Sequence, residues 1–310
     1  MRRWRIGLVG IGKIARDQHI PVLAGSPDFE LAAVASRNAK VEGVASYPDA
    51  ETLLERSPDL DCVAICTPPQ AHFDAALLAL GRGKHVLLEK PPAATTRQLA
   101  ILADQARRAG RTLFQAWHSR FAAGVEPARS WLSTRRVTGG RIAWKEDVRI
   151  WHPGQRWIWS AGGFGVFDPG INALSILTRI LPADVMLTAA RLEFPSNCQA
   201  PIAADLQLRT VDGAPIAAAF DFRHTGEQAW DIELDTADGP IRLSMGGSRL
   251  SIGDRPVEVD DGGGGEYANV YRRFAALCAQ GESEADARPF ELVADAFLIG
   301  ERETTDPFTP

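Results

Sequence analysis

Short apolar runs alternate with helix-like stretches along the first third of the chain, and this alternation constrains the fold more than any other feature. Glycine or proline follows several of the runs, and glycine also ends several of the helix-like stretches. Strands that alternate with helices in this way form parallel sheets that are covered on both faces. We therefore predict an α/β protein with a doubly wound parallel sheet, whose strands are Trp4–Val9, Phe29–Ser36, Cys62–Cys66, His85–Leu88 and Thr112–Trp117.

The pattern changes near residue 120. A helix with an apolar face is predicted over Phe121–Thr134, and segments of alternating polarity follow it, some of them separated by Asp-Gly pairs that indicate hairpins. Helices over Tyr267–Gln280 and Phe290–Glu301 are predicted to end the chain. The 310 residues therefore predict two domains, residues 1–120 and an α+β domain over residues 121–310 with a largely antiparallel open sheet.

The composition is that of an ordinary globular protein and excludes several classes of partner. Hydrophobic residues make up 45% and charged residues 24% of the chain, and the formal net charge is -5. This balance gives no basic surface for nucleic acid or for an anionic membrane, and no apolar run is long enough to span a bilayer. We therefore expect a cytoplasmic protein with no nucleic-acid partner and no membrane partner.

The cysteines and histidines give no sign of a metal site. The four cysteines show no C-x-x-C spacing, and the histidines form neither H-E-x-x-H nor H-x-H. Cys62 and Cys66 belong to a predicted buried strand, whereas Cys198 and Cys278 stand alone in the sequence. We expect reduced structural thiols and no bound metal.

A glycine-rich turn lies between the first predicted strand and its helix. Gly10-Ile11-Gly12-Lys13-Ile14-Ala15 matches G-x-G-x-x-G/A, in which Gly10 permits the tight turn and Gly12 lets the backbone approach a pyrophosphate. The free N–H groups at the helix start bind phosphate charge. The same spacing also occurs in ordinary turns, but between a strand and a helix it favours a dinucleotide.

The end of the second strand indicates which dinucleotide. An NAD site places a carboxylate about 20 residues after the glycines, to bind the ribose hydroxyls. Here the strand ends in Ala35-Ser36-Arg37-Asn38, with no carboxylate. Arg37 can pair with a 2′-phosphate and Ser36 can donate to it; the alternative is a solvated surface arginine. We predict NADP, with NAD tolerated.

Lys90 follows the fourth predicted strand, within Glu89-Lys90-Pro91-Pro92. Open α/β sheets bind ligands at the carboxyl ends of their strands. A lysine at that edge can donate to a substrate oxygen or exchange a proton with it. The alternative is a surface lysine at the start of a loop, and the position at the sheet edge favours a functional role.

Two aromatic and histidine-containing segments are candidates for substrate contacts. His118, in Trp117-His118-Ser119-Arg120, can hydrogen-bond to substrate hydroxyls or be an ordinary satisfied polar group. In the tryptophan-rich stretch 151–159, we assign Trp151 and His152 to substrate, because aromatic faces stack on sugar C–H groups. Trp157 and Trp159 are assigned to packing.

A glycine-rich segment leads into Asp168, which is followed by Pro169 and, four residues on, by Asn172. Residues four apart lie on one face of a helix, so Asp168 and Asn172 can act together. The alternative makes Asp168 the N-cap of that helix. Capping accounts neither for the glycine-rich approach nor for the aligned asparagine.

Taken together, these motifs resemble the glucose–fructose oxidoreductase/inositol dehydrogenase/MocA (Gfo/Idh/MocA) family. The markers are the glycine turn, Thr67-Pro68-Pro69 with His72, Glu89-Lys90-Pro91, and Asp168 with Asn172. The resemblance implies a Rossmann domain over residues 1–120, a substrate domain over residues 121–310, and an NAD(P)-dependent oxidoreductase acting on CH–OH groups. The cofactor-binding residues that it implies are Gly10, Gly12, Lys13, Ile14, Ser36, Arg37, Cys66, Thr67, Pro68, His72, Glu89, Lys90 and Trp117.

Within the family, the stretches 10–19, 144–148 and 166–174 are most similar to L-arabinose 1-dehydrogenases, and next to D-galactose 1-dehydrogenases. This likeness implies oxidation of the anomeric carbon of L-arabinose, and also of D-galactose or D-fucose, to a lactone. The family usually has histidine where this chain has Asn172, which cannot serve as a base. The alternatives are another sugar or polyol dehydrogenase of the family, or a non-catalytic NADP-binding sensor.

The site expected from these inferences has Lys90, Asp168 and Asn172 as catalytic residues, with Asp168 as the preferred base and Lys90 orienting the hydroxyl or relaying its proton. An exposed outer face of the second sheet predicts a homodimer through that face. The residues expected to contact the aldose are Lys90, His118, Trp151, His152, Asp168 and Asn172.

Overall fold

The computed structural model describes residues 2–309, which form two compact units. The first unit consists of the chain up to Trp117 together with Tyr267–Ala287, and the second consists of His118–Glu266 and the residues from Arg288 onward. This division differs from the predicted one, because residues 267–287 belong to the first unit. The reason is packing: the ring of Phe274 stacks on Phe29 at 5.6 Å and on Phe114 at 6.1 Å, both on the first sheet.

The first unit contains a six-stranded sheet in the order β3-β2-β1-β4-β5-β6, with every neighbouring pair parallel. This strand order is that of the doubly wound dinucleotide-binding fold. Strands β4 and β5 are buried along their whole length, as apolar strands covered on both faces must be. The strands are β1 (Trp4–Val9), β2 (Phe29–Ala35), β3 (Ala45–Tyr47), β4 (Cys62–Ile65), β5 (His85–Glu89) and β6 (Leu113–Ala116).

The helices of the first unit begin and end largely where the sequence signals indicate. Thr95 and Gln98 form a capping box at the start of α4, and Gly110 ends it with a left-handed backbone. The first helix, α1, starts with a π-helical turn, Ala15–His19, and continues as an α-helix over Ile20–Ala24. The others are α2 (Ala50–Arg56), α3 (His72–Gly81), α4 (Thr96–Ala109) and, after the second unit in the chain, α8 (Gly265–Gln280).

The second unit contains a nine-stranded sheet in the order β14-β13-β12-β11-β7-β10-β9-β8-β15. Most neighbouring strands are antiparallel, whereas β7 with β10 and β8 with β15 are parallel. The predicted fold class is thus confirmed in both sheets. The strands are β7 (Val137–Lys145), β8 (Val185–Pro195), β9 (Ala203–Thr210), β10 (Pro215–Asp221), β11 (Ala229–Thr236), β12 (Ile241–Ser244), β13 (Arg249–Ile252), β14 (Arg255–Val257) and β15 (Glu301–Thr305).

The helices of the second unit cover one face of this sheet, where Phe167 of α7 meets Phe220 of β10 at 5.9 Å. The helix predicted over Phe121–Thr134 begins at Val125, because a 3-10 turn, His118–Phe121, precedes it. Arg120 of that turn is buried and donates to the Ser175 carbonyl at 2.9 Å. The helices are α5 (Val125–Leu132), α6 (Val148–Trp151), α7 (Phe167–Ile180) and α9 (Arg288–Ile299).

The described part of the chain has neither a membrane-spanning helix nor a cluster of metal-binding side chains. Among residues 2–309, no helix has both the length and the apolar character needed to cross a membrane. Over the same residues, no group of three His, Cys, Asp or Glu side chains is arranged to hold a metal ion.

Candidate active site

The glycine turn joins β1 directly to α1. Gly10 has a φ of +94°, and a Cβ placed there would lie 2.8 Å from the Cys66 carbonyl carbon, so only glycine fits. The first helical hydrogen bond runs from the Arg16 N–H to the Gly12 oxygen, at 3.2 Å. The N–H groups before Arg16 therefore have no acceptor within the helix, and they are available to an anion.

Three observations in the first unit fit a bound dinucleotide. Gly12 is exposed, and a Cβ placed there would meet nothing within 4 Å, which leaves room for a pyrophosphate against the backbone. The Thr67 Oγ1 is buried with no hydrogen-bond partner among residues 2–309. Arg37 is exposed, and within that part of the chain its guanidinium has no hydrogen bond or ion pair.

Other residues predicted to contact the cofactor have protein partners. Lys13 forms an exposed ion pair with Asp17. The Trp117 side chain is buried, and its Nε1 donates to the Asp286 carbonyl at 2.9 Å. The remaining ones lie around the same strand ends, with Ile14 and Ser36 half-buried, Pro68 exposed and Cys66 buried.

His72 is fully buried beneath the Thr67-Pro68-Pro69 loop, and its two ring nitrogens face the carbonyls of Thr67 and Pro92. Burial lowers the pKa of His72, so the ring is neutral and carries one N–H. We assign that proton to Nε2, which makes the shorter contact, with the Thr67 oxygen. The structure thus places His72 as a brace for this loop.

Lys90 is half-buried at the end of β5, and Glu89 before it is buried. The Glu89 carboxylate accepts hydrogen bonds from the Tyr267 hydroxyl at 2.9 Å and from the Lys90 N–H at 2.9 Å, and His19 Nε2 lies 3.0 Å from it. The hydrogen bond from the Lys90 N–H to Glu89 holds the backbone of Lys90 where the strand ends.

Asp168 is the second residue of α7 and is 3% exposed. The N-cap of this helix is Val166, which forms no side-chain cap, so the alternative that made Asp168 the cap is wrong. Its carboxylate lies in the first turn, where the positive end of the helix dipole favours an anion. Helix capping therefore does not explain why a carboxylate is buried at this position.

His152 lies between two buried carboxylates in the second unit. Its Nε2 is 2.9 Å from Glu146 Oε1, and its Nδ1 is 3.4 Å from Asp168 Oδ2. The Nε2 contact has hydrogen-bond geometry, whereas the buried Nδ1 has no hydrogen-bond partner among residues 2–309. The Glu146 carboxylate needs a donor, so in a neutral ring the proton lies on Nε2 and the Nδ1 lone pair faces Asp168.

Four tryptophans lie in the surroundings of this carboxylate–histidine array. Trp230 of β11 donates from Nε1 to Glu146 Oε2 at 2.8 Å, and its ring stacks on Trp144 at 6.1 Å. The ring of Trp151 meets that of Trp230 edge-on at 4.7 Å and is 40% exposed. Trp159 packs against Phe222 at 5.7 Å, consistent with its assignment to packing.

The two other predicted substrate residues have separate surroundings. Asn172 is half-buried one turn after Asp168, and its side-chain amide forms no hydrogen bond within residues 2–309. His118 Nδ1 lies 2.6 Å from Glu266 Oε2. The structure therefore brings together Asp168, His152 and Trp151, and it gives His118 an acidic partner of its own.

Glu146 and Trp230 were not among the predicted site residues. A signal for Glu146 exists in the strand pattern, because Ile142, Trp144 and Glu146 alternate along the chain and all three are buried. A carboxylate that continues the inward face of a strand needs a buried partner. Trp230 carries no such signal, since only the pairing of β11 with β7 places it opposite Trp144.

Comparison with known proteins gives matches over both parts of the chain. A family model described as "Oxidoreductase family, NAD-binding Rossmann fold" (GFO_IDH_MocA) matches residues 4–116. A galactose 1-dehydrogenase from Pseudomonas fluorescens is 44% identical over 311 residues, covering 99% of this chain and 99% of the relative.

Solved structures give matches over nearly the whole length. A crystal structure of D-galactose-1-dehydrogenase from Rhizobium etli has a TM-score of 0.94 at 50% identity and covers 100% of this chain and 99% of that chain. A 3-ketoreductase from Actinomadura kijaniata, KijD10, in complex with NADP and TDP-benzene, has a TM-score of 0.83 at 20% identity. It covers 98% of this chain and 100% of that chain, and at this identity the likeness concerns the fold alone.

Proposed function

Because the chain belongs to the Gfo/Idh/MocA oxidoreductase family, we propose that it is an aldose 1-dehydrogenase that oxidises the anomeric C–OH of a pyranose to a lactone. The observation that carries the proposal is the array of Glu146, His152 and Asp168. It sets a buried carboxylate beside a histidine nitrogen that has no hydrogen-bond partner among residues 2–309. Alcohol oxidation requires a proton acceptor of this kind.

In the proposed reaction, Asp168 accepts the proton of the C1 hydroxyl. Its carboxylate is 3% exposed, so water competes little for it. The proton can then pass to His152 Nδ1, 3.4 Å away, while Glu146 holds the opposite ring nitrogen. Since Asn172 replaces the usual family histidine, His152 supplies the imidazole from a different element of the fold.

Lys90 keeps its predicted role in the same proton transfer. Its ammonium group donates to the C1 oxygen, orients it and stabilises the negative charge that develops there as the proton leaves. The nicotinamide, when bound, supplies the hydride acceptor.

We propose that the substrate site is specific for the ring configuration that D-galactose, D-fucose and L-arabinose share. The similarity to two galactose 1-dehydrogenases supports this configuration. Trp151 and Trp230 offer aromatic surface to the C–H face of such a sugar, and the Asn172 amide has hydrogen bonds to give to a ring hydroxyl. L-arabinose, which lacks the C5 substituent of D-galactose, stays our predicted first substrate.

NADP is the proposed cofactor, with NAD tolerated. The support is the exposed Arg37 guanidinium at the end of β2, next to Ser36 and without an acidic neighbour in the 35–38 segment. A 2′-phosphate would gain a charge-assisted hydrogen bond there, whereas the free hydroxyls of NAD would not.

A panel of aldoses and polyols, assayed for NADPH and NADH formation, tests the proposal. We expect turnover on L-arabinose, D-galactose and D-fucose, lactone as the product, and no turnover on inositol. Lys90→Met and Asp168→Ala should each lower kcat by about 10²-fold or more, as loss of a proton-transfer group does, while Asp212→Ala in an exposed turn should not. Near-normal kcat in both site variants, or turnover on polyols alone, would contradict the proposal.

A further inference from the structure

A groove of about 700 Å³ lies in the first unit at the edge of the sheet where the strands begin, opposite the edge that carries the glycine turn. Residues at or just before the starts of β4, β5 and β6 line it, together with the end of α8. They include Asp61, Lys84, His85 and Cys278. None of these residues is part of the proposed cofactor site or of the carboxylate–histidine array.

Two cysteines meet at the wall of this groove. Cys62 is the first residue of β4 and is fully buried, whereas Cys278 of α8 is 6% exposed and lines the groove. The Cys62 thiol is hydrogen-bonded to Cys278, and both cysteines are free. The side chain of His85, the neighbour of Cys62 in the register of β4 and β5, is hydrogen-bonded to Cys278 as well. One sulfur atom thus has a second thiol and an imidazole beside it.

The end of α8 is held against the start of β6 on both sides of Cys278. The Thr112 hydroxyl donates to the Leu277 carbonyl at 3.4 Å, one residue before Cys278. After the helix, the Glu284 N–H donates to the Leu113 carbonyl at 2.9 Å. The position of the Cys278 sulfur beside Cys62 is therefore fixed by the backbone of two elements and does not depend on a free loop.

The directions of the hydrogen bonds favour a negative charge on Cys278. The Thr112 N–H donates to His85 Nδ1 at 3.0 Å, so that nitrogen carries no proton. The ring proton then lies on Nε2, which is left to donate to the Cys278 sulfur. Cys62 has no exposed surface, and burial favours its neutral, protonated form, so its S–H is a second donor.

The titration of the two thiols agrees with this geometry. The hydrogen bond from Cys62, together with that from His85, outweighs burial and lowers the pKa of Cys278 to about 6. Burial raises the pKa of Cys62 well above its ordinary value, and the charges of Asp61 and Lys84 act on it in opposite directions. The other charged residues along the groove are Arg2, Asp59 and Arg111. Near neutral pH, Cys278 is therefore a thiolate and Cys62 a thiol.

We propose that Cys278 is a modification site at which a hydroperoxide oxidises the protein, and that Cys62 is the thiol that resolves the product. A thiolate that lines a groove and has a second thiol in contact is the arrangement of a redox-sensitive cysteine. The inference goes beyond the proposed function and does not depend on it.

The reaction has two steps. The Cys278 thiolate attacks one oxygen of the peroxide, so that an S–O bond forms, the O–O bond breaks, and the hydroxide or alkoxide that leaves takes a proton from water. Cys278 is then a sulfenic acid, and the peroxide has been reduced. In the second step, the Cys62 sulfur attacks that of Cys278. The S–S bond forms, the S–O bond breaks, and the hydroxide leaves as water with the Cys62 proton.

Peptide mapping of the hydrogen peroxide-treated protein under non-reducing conditions tests the proposal. We expect a disulfide between Cys62 and Cys278 that a reducing thiol reverses. In Cys62→Ser the sulfenic acid persists and is trapped by dimedone on Cys278, whereas Cys278→Ser gives neither product. Cys198→Ser is the matched control and should form the disulfide as the wild type does. Stable addition of oxygen to Cys278 in the wild type, without the disulfide, would overturn the role of Cys62.

Cys198 also provides a comparison within the same molecule. It is more exposed than Cys278, but burial raises its pKa, so it is a thiol at neutral pH. We expect Cys278 to be oxidised at least about threefold faster than Cys198 near pH 7, because the larger thiolate fraction outweighs the lower nucleophilicity. Faster oxidation of Cys198 would show that exposure alone decides the reaction, and would overturn the proposal.

The pH dependence of the oxidation rate is an independent readout. A thiolate with a pKa of about 6 is almost fully formed at neutral pH, so the rate at Cys278 should change less than about twofold between roughly pH 7.5 and 9. An ordinary thiol would gain about eightfold over the same range, and a gain of that size at Cys278 would contradict the assignment. Where a serine variant does not fold, the wild-type map decides: the disulfide supports the proposal, and its absence overturns it.

Discussion

Three side chains from successive elements of the chain make up the array in the second unit. Glu146 follows a strand, His152 follows the short helix α6, and Asp168 begins the long helix α7. Each carboxylate faces a different nitrogen of the same imidazole, so Glu146 and Asp168 do not compete for one ring nitrogen. In the proposed relay, the ring takes up a proton on the Asp168 side and keeps its contact with Glu146.

Replacing Glu146 by glutamine tests that arrangement. The amide retains the size of the side chain but can present its NH₂ group to His152 Nε2, which would move the ring proton to Nδ1 and leave no lone pair facing Asp168. We expect kcat to fall about 10- to 100-fold, because a general acid–base contribution is lost, with an unchanged dissociation constant for NADP. Glu233→Gln, at an outward-facing and partly exposed position of β11, is the matched control, and wild-type turnover in Glu146→Gln would contradict the relay.

Arg37 decides between two cofactors in our account. Arg37→Ala should raise KM for NADP about 10- to 100-fold, equivalent to the roughly 1.5–3 kcal/mol of a hydrogen bond to a charged group, and should leave KM for NAD within about twofold. Arg97→Ala, at an exposed position of α4, controls for the loss of surface charge. An equal loss for both cofactors would show that Arg37 does not contact the 2′-phosphate.

At the scale of elements, the residues within each strand and helix were predictable because local chemistry decides them. β1 begins and ends at the residues that the polarity pattern indicates, and glycine ends α4. Contacts between distant elements were not predictable in the same way. Glu89 was expected to contact the cofactor, and the sequence does not indicate that α1 and α8 bring His19 and Tyr267 to its buried carboxylate.

The residues of the candidate site likewise fall into those that local sequence predicts and those that it does not. Lys90 and Asp168 follow from strand-end and helix-face arguments, since those rest on a few consecutive residues. The position of His152 between two carboxylates requires β7, α6 and α7 to meet, which no local spacing specifies. The compact units differ from the predicted domains for the same reason, because no signal near residue 267 indicates that the chain returns to the first sheet.

The contact of α1, β5 and α8 through His19 should make stability depend on pH. The pKa of His19 is raised in the folded protein above the ordinary value of 6.5. Its stabilising contribution is therefore complete below about pH 6.5 and is lost as the pH rises through the folded-state value. Urea unfolding measured from pH 6 upward should give a free energy that falls by up to about 1.4 kcal/mol per pH unit in this window, and the fall should be smaller in His19→Gln. An equal slope in the two proteins would assign the dependence to other groups.

At the scale of the whole molecule, the outer face of the second sheet is the predicted homodimer surface. Ala217 on β10 and Arg209 on β9 are exposed on this sheet, and Arg141 pairs with Glu233 across two strands at 2.8 Å. We expect light scattering after gel filtration to give twice the chain mass, and Ala217→Glu in the centre of the sheet to give a monomer. Arg255→Glu, on the exposed edge strand β14, should stay dimeric. A monomeric wild-type protein would contradict the dimer.

The return of the chain to the first sheet has a consequence for biosynthesis. A ribosome that has completed β6 has made every strand of the dinucleotide fold, yet not α8, whose Phe274 stacks on Phe29 and Phe114. All of His118–Glu266 must be translated before that apolar surface can be covered. The nascent first unit therefore exposes the apolar surface around Phe29 and Phe114 until the rest of the chain has emerged.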